Sequence, residues 1–159
     1  MLNIPFQLEM MLTVLIAVLI GGIVGLEREL AGKPAGLRTH MLVSGAAAFL
    51  VKLTHVLIFS VSATERSQSI IIQTDPVRII QAIIIGFSFI GAGTIIQRKT
   101  EERIEGLTTA ASILFTTGLG IAVACNQYLA SIGVAVIILI VNIVFNFIPD
   151  WIKNQVRKK

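Results

Sequence analysis

Five long apolar stretches divide this chain, and each of them is long enough to cross a lipid bilayer as a helix. A bilayer core about 30 Å thick requires about 20 helical residues, with about 17 to 25 as the usual range. Most of the charged residues lie between these stretches or after the last one. The predicted membrane spans are residues 10–26, 41–61, 77–96, 107–124 and 128–148.

The composition favours a membrane protein over a water-soluble enzyme. The 159 residues are 55% hydrophobic and 14% charged, whereas an ordinary soluble domain carries about 25% charged residues. The sequence has no Ser-His-Asp, HExxH or P-loop pattern, so we expect no enzymatic activity, no catalytic residues and no cofactor. Cys125 is the single cysteine, which excludes an intramolecular disulfide and makes packing its expected role.

The distribution of Lys and Arg predicts the orientation of the chain in the membrane. Ten basic residues lie in the first loop, the third loop and the C-terminal tail, whereas the second loop carries only Arg66 and Arg78. The positive-inside rule therefore places the N-terminus outside and the C-terminus in the cytoplasm. We predict an all-α integral membrane protein with a five-helix transmembrane domain over residues 1–150 and a basic cytoplasmic tail over residues 151–159.

Small residues recur along several spans and predict where the helices pack. Lipid provides no hydrophobic force between helices, so close association depends on small residues and on polar contacts between helices. In the first and fourth spans such residues recur every four positions. We interpret them as packing grooves, and a pore lining is the alternative. The expected packing glycines are Gly21, Gly25, Gly86, Gly91, Gly93 and Gly120.

The charged first and third loops have similar surroundings. A glycine-rich helix end precedes each loop, and Gly36-Leu37 or Gly106-Leu107 opens the span that follows. This similarity suggests two parallel helix pairs followed by a fifth helix, a kind of repeat that is known in transporters.

Polar residues concentrate around the first loop and at the start of the fourth span. The N-termini of the second and fourth helices expose free N–H groups and a partial positive charge on the predicted cytoplasmic face, which would suit a lipid phosphate, a nucleotide phosphate or a partner's carboxylate. The alternative is that Glu27 and Glu29 pair with loop Arg and Lys residues and hold the helix ends. These two carboxylates project from different faces and form no obvious metal clamp, so a metal site is left open. The candidate cluster comprises Glu27, Arg28, Glu29, Arg38, Thr39, His40, Thr108 and Thr109.

Four further polar residues, Lys52, His55, Asn142 and Asn146, fall inside predicted spans. An ionisable side chain within the membrane costs about 2.5 to 3.5 kcal/mol to insert and is a functional-site hypothesis by default. The alternative for Lys52 is that its long side chain reaches an interface, and the two asparagines are expected to form hydrogen bonds between helices. No Asp or Glu falls inside the five predicted spans, which gives little support to direct Mg²⁺ conduction.

Four motifs occur in order along the first four spans: Gly25–Arg28, Ala35–His40, Gly86–Ile95 and Gly106–Ser112. At these motifs the sequence resembles the membrane domain of the MgtC/SapB family. The resemblance implies a bacterial inner-membrane protein linked to adaptation to low magnesium, to acid stress and, in pathogens, to survival inside host cells. It also implies a regulator of membrane energetics or of other transporters. The departure is at the C-terminus, since well-known members continue into a small soluble α/β domain.

The sequence leads to two hypotheses for the function. The first is a non-enzymatic regulator of another membrane complex that supports adaptation to low magnesium or to ionic or acid stress. The second is a small oligomeric transporter or channel for Mg²⁺ or a monovalent cation. The expected partners are the lipid bilayer and either further copies of the chain or another membrane protein. Nucleic acid is not expected, because the basic residues form no face interleaved with aromatic side chains.

Overall fold

The computed structural model describes residues 4–65, 75–96 and 106–156, and these residues form five α-helices. The all-helical prediction is therefore confirmed for this part of the chain. Among the described residues, four helices, α1 to α4, are long and apolar enough to cross a membrane. The apolar segment of α5, Tyr128–Val144, is shorter. Five spans and their orientation stay predictions. The helices are α1 (Ile4–Leu30), α2 (Leu37–Glu65), α3 (Pro76–Ile96), α4 (Leu107–Ala124) and α5 (Tyr128–Val156).

Helix α1 extends beyond the first predicted span at both ends, and its C-terminus determines where the first loop begins. The Gly32 N–H donates to the Glu29 carbonyl and the Lys33 N–H donates to the Arg28 carbonyl, both at 3.0 Å. Gly32 has a φ of 64°, the left-handed conformation that ends many helices in this way. The residues Glu27 to Glu29 therefore lie near the C-terminus of α1, just beyond the predicted end of the first span at residue 26.

Helices α2 and α5 also differ from the predicted spans. Helix α2 begins at Leu37, so Arg38, Thr39 and His40 belong to its first turn. Helix α5 continues past Pro149 to Val156, beyond the predicted end of the fifth span at residue 148. A proline removes one backbone donor and crowds the preceding turn, but membrane helices tolerate this where neighbouring groups satisfy the freed carbonyl. Pro149 therefore does not end the helix.

The predicted fourth and fifth spans leave only residues 125–127 between them, and in the structure these residues join α4 and α5 in a tight hairpin. The Asn126 N–H donates to the Val123 carbonyl and the Gln127 N–H donates to the Ala122 carbonyl, both at 2.9 Å. Asn126 has a φ of 61°, a conformation that asparagine tolerates better than most residues. This turn places α5 antiparallel to α4.

Helix α4 lies at the centre of the bundle and contacts the other four helices. In the most apolar segment of α4, 56% of the residues are buried inside the protein, whereas in that of α3 only 11% are buried. Helices α1 and α2 form the most extensive pair, whereas α3 packs mainly on α4 at the periphery. The core therefore sits where α1, α2 and α4 meet.

Glycines allow the three central backbones to approach one another around Ser44. A Cβ added at Gly21 of α1 would lie 2.6 Å from the Ser44 Cβ, and one added at Gly120 of α4 would overlap the Ser44 carbonyl oxygen. A Cβ at Gly25 would lie 2.8 Å from the His40 Cβ and 2.9 Å from the Leu37 Cα. Because these neighbours are mostly backbone atoms, the helices would have to separate to accept any larger residue.

The glycines of α3 behave differently from one another. Gly91 packs on Ala110 of α4, and a Cβ added at Gly91 would lie 3.4 to 3.5 Å from atoms of Ala110. Gly21 of α1 packs on His40 of α2 in a similar way. The number of residues between the two partners is the same in both pairs. This correspondence supports the repeat that the loops suggest. Cβ atoms added at Gly86 and Gly93 would meet no described atom within 4 Å, and both glycines are exposed. Within this chain the two therefore make none of the expected helix contacts.

Replacing Gly120 by Ala is expected to destabilise the folded protein by about 1 to 3 kcal/mol, the usual cost of forcing atoms into a packed interior. The added Cβ would overlap the Ser44 carbonyl oxygen, which is backbone and has no rotamer by which to move away. The measurement is the midpoint of thermal unfolding in detergent, followed by circular dichroism.

The matched control is Gly118→Ala, two positions earlier in α4, where an added Cβ would meet no described atom within 4 Å. This variant should keep or raise the midpoint, because Ala is a better helix former than Gly by about 1 kcal/mol. Equal destabilisation by both substitutions would show that close packing at Gly120 is not the cause.

Candidate functional site

The polar residues of the candidate cluster gather at one end of the bundle, where α1 ends and α2 and α4 begin. We call it the Glu27 end, and the opposite end, where α1 begins, the Glu9 end. Gly21, Gly25 and Arg28 share the face of α1 that packs towards α2. This face carries Arg28 into the interior close to His40.

Glu27 and Arg28 form a bidentate ion pair inside the Glu27 end. Arg28 Nε donates to Glu27 Oε2 and Arg28 Nη2 donates to Glu27 Oε1, both at 2.6 Å. The Arg28 side chain is 1% exposed and the Glu27 side chain 14%. Two parallel charge-assisted bonds of this kind are among the strongest side-chain interactions, and this pairing allows a full positive charge to be buried there.

Asn142 connects this ion pair to α5. Its Nδ2 donates to Glu27 Oε2 over 3.2 Å, and the residue is buried. The prediction of an interhelical hydrogen bond thus corresponds to a contact between α5 and α1, with Glu27 as the acceptor. The side chain of Asn146, one turn further along α5, lies outside the described residues.

Glu29 caps the N-terminus of α2. The Leu37 N–H, one of the free donors at this helix start, donates to Glu29 Oε2 over 2.9 Å. The same oxygen would overlap a Cβ added at Gly36, so this contact needs a glycine. The chain itself therefore supplies a negative charge at the helix N-terminus where an anion was predicted to bind.

The remaining members of the cluster divide into buried and exposed groups. His40 and Thr109 are buried, at 0% and 2% exposure, whereas Arg38 and Thr108 are exposed and Thr39 is half-buried. His40 Nδ1 lies 2.9 Å from the Gly36 carbonyl oxygen. The Glu27 end is thus a buried polar centre with charged side chains, including Glu29 and Arg38, exposed around it.

Lys52 is part of a second ion pair at the Glu9 end. Its Nζ donates to Glu9 Oε1 over 3.1 Å, with the Lys52 side chain 6% exposed and the Glu9 side chain 60% exposed. His55, predicted beside it, is exposed. The sequence did not indicate Glu9 as the partner, because α1 was predicted to begin at residue 10. Glu9 and Glu27 lie on α1 one residue outside the predicted span 10–26, at its two ends, so the expectation of spans without carboxylates stays a prediction.

The two ion pairs bracket the apolar part of α1. At about 1.5 Å per residue, Glu9 and Glu27 are separated by about 27 Å along the helix axis, close to the about 30 Å of a bilayer core. The spacing matches a helix that crosses a membrane with a charged pair near each interface. Among the described residues, no group of three or more His, Cys, Asp or Glu side chains is arranged to hold a metal ion.

Comparison with known proteins identifies the family. The family model described as MgtC family matches residues 14–151. The chain belongs to the MgtC family. This finding confirms the resemblance carried by the four sequence motifs.

Three relatives illustrate the similarity within the MgtC family. The chain is 34% identical to the putative magnesium transporter YhiD of Escherichia coli (strain K12) over 148 residues, which are 92% of this chain and 65% of the relative. It is 36% identical to Protein SapB of Bacillus subtilis (strain 168) over 149 residues, 93% of this chain and 60% of the relative. It is 34% identical to Protein MgtC of Salmonella typhimurium (strain LT2) over 144 residues, 90% of this chain and 53% of the relative.

The chain therefore spans 53% to 65% of the length of these three relatives. No solved structure matches it.

Replacing Glu27 by Gln is expected to destabilise the protein by about 3 to 5 kcal/mol, because it leaves the buried Arg28 guanidinium without a negative partner. Asn142 would lose its charged acceptor in the same variant. The measurement is the thermal unfolding midpoint in detergent at constant pH and salt.

Glu9→Gln is the matched control, as it removes the same charge from the other end of α1. Its effect should be much smaller, because Glu9 is 60% exposed and its pair with Lys52 is screened by solvent. A Glu9→Gln variant as unstable as Glu27→Gln would contradict this ranking of the two pairs.

Proposed function

We propose that this MgtC-family chain is a non-enzymatic regulator in the bacterial inner membrane. It supports adaptation to low magnesium or to ionic or acid stress by contacting another membrane complex. The contact surface is the Glu27 end, which faces the cytoplasm in the orientation that the basic loops and tail favour. The observation that carries the proposal is the direct packing of α1, α2 and α4 around Ser44.

This packing favours a regulator over a conduit formed by a single chain. Gly21 and Gly120 bring two helix backbones against Ser44 from both sides, so the three central helices are in direct contact at this level. Arg28 and Asn142 both bind the Glu27 carboxylate. The interior polar groups thus hold the fold together, and the side chains left for recognition are those at the rim.

The rim of the Glu27 end carries the chemistry for a protein partner. Arg38 is exposed on the first turn of α2, and Glu29 is exposed at the end of α1 while its carboxylate caps α2. Charges of both signs around a buried centre match the polar rim of a protein interface. An exposed arginine is also well suited to pair with a partner's carboxylate.

The alternative function is a small ion transporter or channel built from several copies of the chain. The name of the Escherichia coli relative, putative magnesium transporter, favours it. Helix α3 supports assembly, because Gly86 and Gly93 face outward and would let a second helix approach closely. An ion path would then run between copies and not through the packed centre of one chain.

Arg38→Ala is expected to abolish growth support in low magnesium while the amount of membrane-inserted protein stays unchanged. The test uses a bacterial strain without its own MgtC-family proteins, in which this chain restores growth, and an immunoblot of the membrane fraction. Because Arg38 is exposed, its loss removes a contact with the partner and little folding energy.

Arg78→Ala is the matched control, since Arg78 is 86% exposed near the start of α3, away from the Glu27 end. Full growth with both variants would contradict a contact surface at Arg38. An equal loss of growth support in both variants would show that the protein is sensitive to the removal of any exposed charge, and would contradict a specific role of Arg38.

Ion flux into sealed proteoliposomes separates the two functions. The regulator predicts no flux of Mg²⁺, K⁺ or H⁺ from folded wild-type protein. Flux that requires the folded protein would overturn this proposal in favour of the transporter.

A further inference from the structure

Two fully buried polar atoms at the centre of the bundle have no hydrogen-bond partner in the described part of the chain. They are His40 Nε2 and Ser44 Oγ, and both residues are 0% exposed. An unpaired buried polar group costs about 1 to 3 kcal/mol, and such groups are few in folded proteins. The two residues lie one helical turn apart on α2, on the same face of the helix.

The hydrogen bond of His40 defines what this ligand must offer. His40 Nδ1 lies 2.9 Å from the Gly36 carbonyl oxygen, which only accepts hydrogen bonds, so Nδ1 carries the hydrogen. In the neutral ring Nε2 is then a lone-pair acceptor. The group that satisfies it has to be a hydrogen-bond donor.

The Ser44 hydroxyl differs from other buried hydroxyls in this bundle in the carbonyl group that lies next to it. Buried Ser and Thr side chains in these helices commonly donate to the carbonyl four residues earlier, a usual arrangement inside helices. For Ser44 that carbonyl belongs to His40, and α1 covers it, because a Cβ at Gly21 would lie 2.6 Å from this oxygen. The hydroxyls that donate to such a carbonyl are those of Thr13, Thr54, Ser112, Thr116 and Thr117.

We propose that His40 Nε2 and Ser44 Oγ together bind one small hydrogen-bond donor between α1, α2 and α4. Water and ammonium share the required size and donor chemistry. The donor gives one hydrogen to His40 Nε2 and a second to the Ser44 hydroxyl oxygen, as buried waters do with otherwise unpaired groups. The site does not depend on the function proposed above.

The site also accounts for the arrangement of small residues around Ser44. Gly21 and Gly120 bring the backbones of α1 and α4 close to this residue, so a ligand there has to be small. Arg28 follows on the same face of α1, and its guanidinium is occupied by Glu27. The bound donor would therefore extend the buried polar centre of the Glu27 end by one turn into the apolar core.

Solid-state NMR of the full chain in lipid bilayers tests the proposal on the wild-type protein. The chain has two histidines, His40 and His55, so ¹⁵N-histidine labelling yields few signals and a His55→Gln variant assigns them. We expect the His40 Nε2 signal to be that of a hydrogen-bonded acceptor, with magnetisation transfer from a bound proton pool. A free lone-pair signal without transfer, in folded protein, would overturn the site.

Two further NMR experiments identify the ligand and test its contact with Ser44. Transfer from water protons in ammonium-free buffer assigns the ligand as water, whereas a ring contact seen only with added ¹⁵N-ammonium assigns it as ammonium. Ser44→Ala should weaken the transfer to His40 and shift its signal, while Ser112→Ala, which removes a buried hydroxyl already bonded to the Thr108 carbonyl, should not. Equal effects of the two substitutions would exclude Ser44 as a ligand.

Discussion

Close contact of three helix backbones around Ser44 is the constraint on which the rest of this structure depends. Lipid offers no hydrophobic drive for helices to associate, so the bundle relies on surfaces that fit closely. Gly21 and Gly120 remove the side chains that would keep α1 and α4 away from α2. The central position of α4 follows from this contact, and the charged residues at both ends are positioned by it. Around Ser44, glycine therefore sets how closely the helices pack.

The two ion pairs show how the chain carries charges on an otherwise apolar helix. Glu27 and Arg28 neutralise each other where the arginine is almost fully buried, and Asn142 binds the shared carboxylate. Lys52 is buried as well, but its partner Glu9 is mostly exposed. The first pair therefore behaves as part of the core, and the second behaves as an interfacial contact. Their separation along α1, about 27 Å at about 1.5 Å per residue, fits one bilayer.

Membership of the MgtC family and the closed centre of the bundle together lead to the proposed regulator. A carboxylate inside a membrane protein often marks an ion path, but Glu27 is bound by its neighbour and by α5. The proposed regulator uses Arg38 and Glu29 for recognition, and both residues are exposed at the rim. The hydrogen-bonding potential that stays open inside lies at His40 and Ser44, one turn deeper than the ion pair.

The sequence by itself determined the helical class, the places of α3 and α4, the tight turn at Asn126 and the family, because hydropathy, turn chemistry and motifs are local properties. It missed the ends of α1, where Gly32 followed by Pro34 was an available stop signal. Only the tertiary structure decided which polar groups pair. The Lys52–Glu9 and Asn142–Glu27 contacts join residues 43 and 115 positions apart. Such partners are set by the packing of whole helices, which no local pattern specifies.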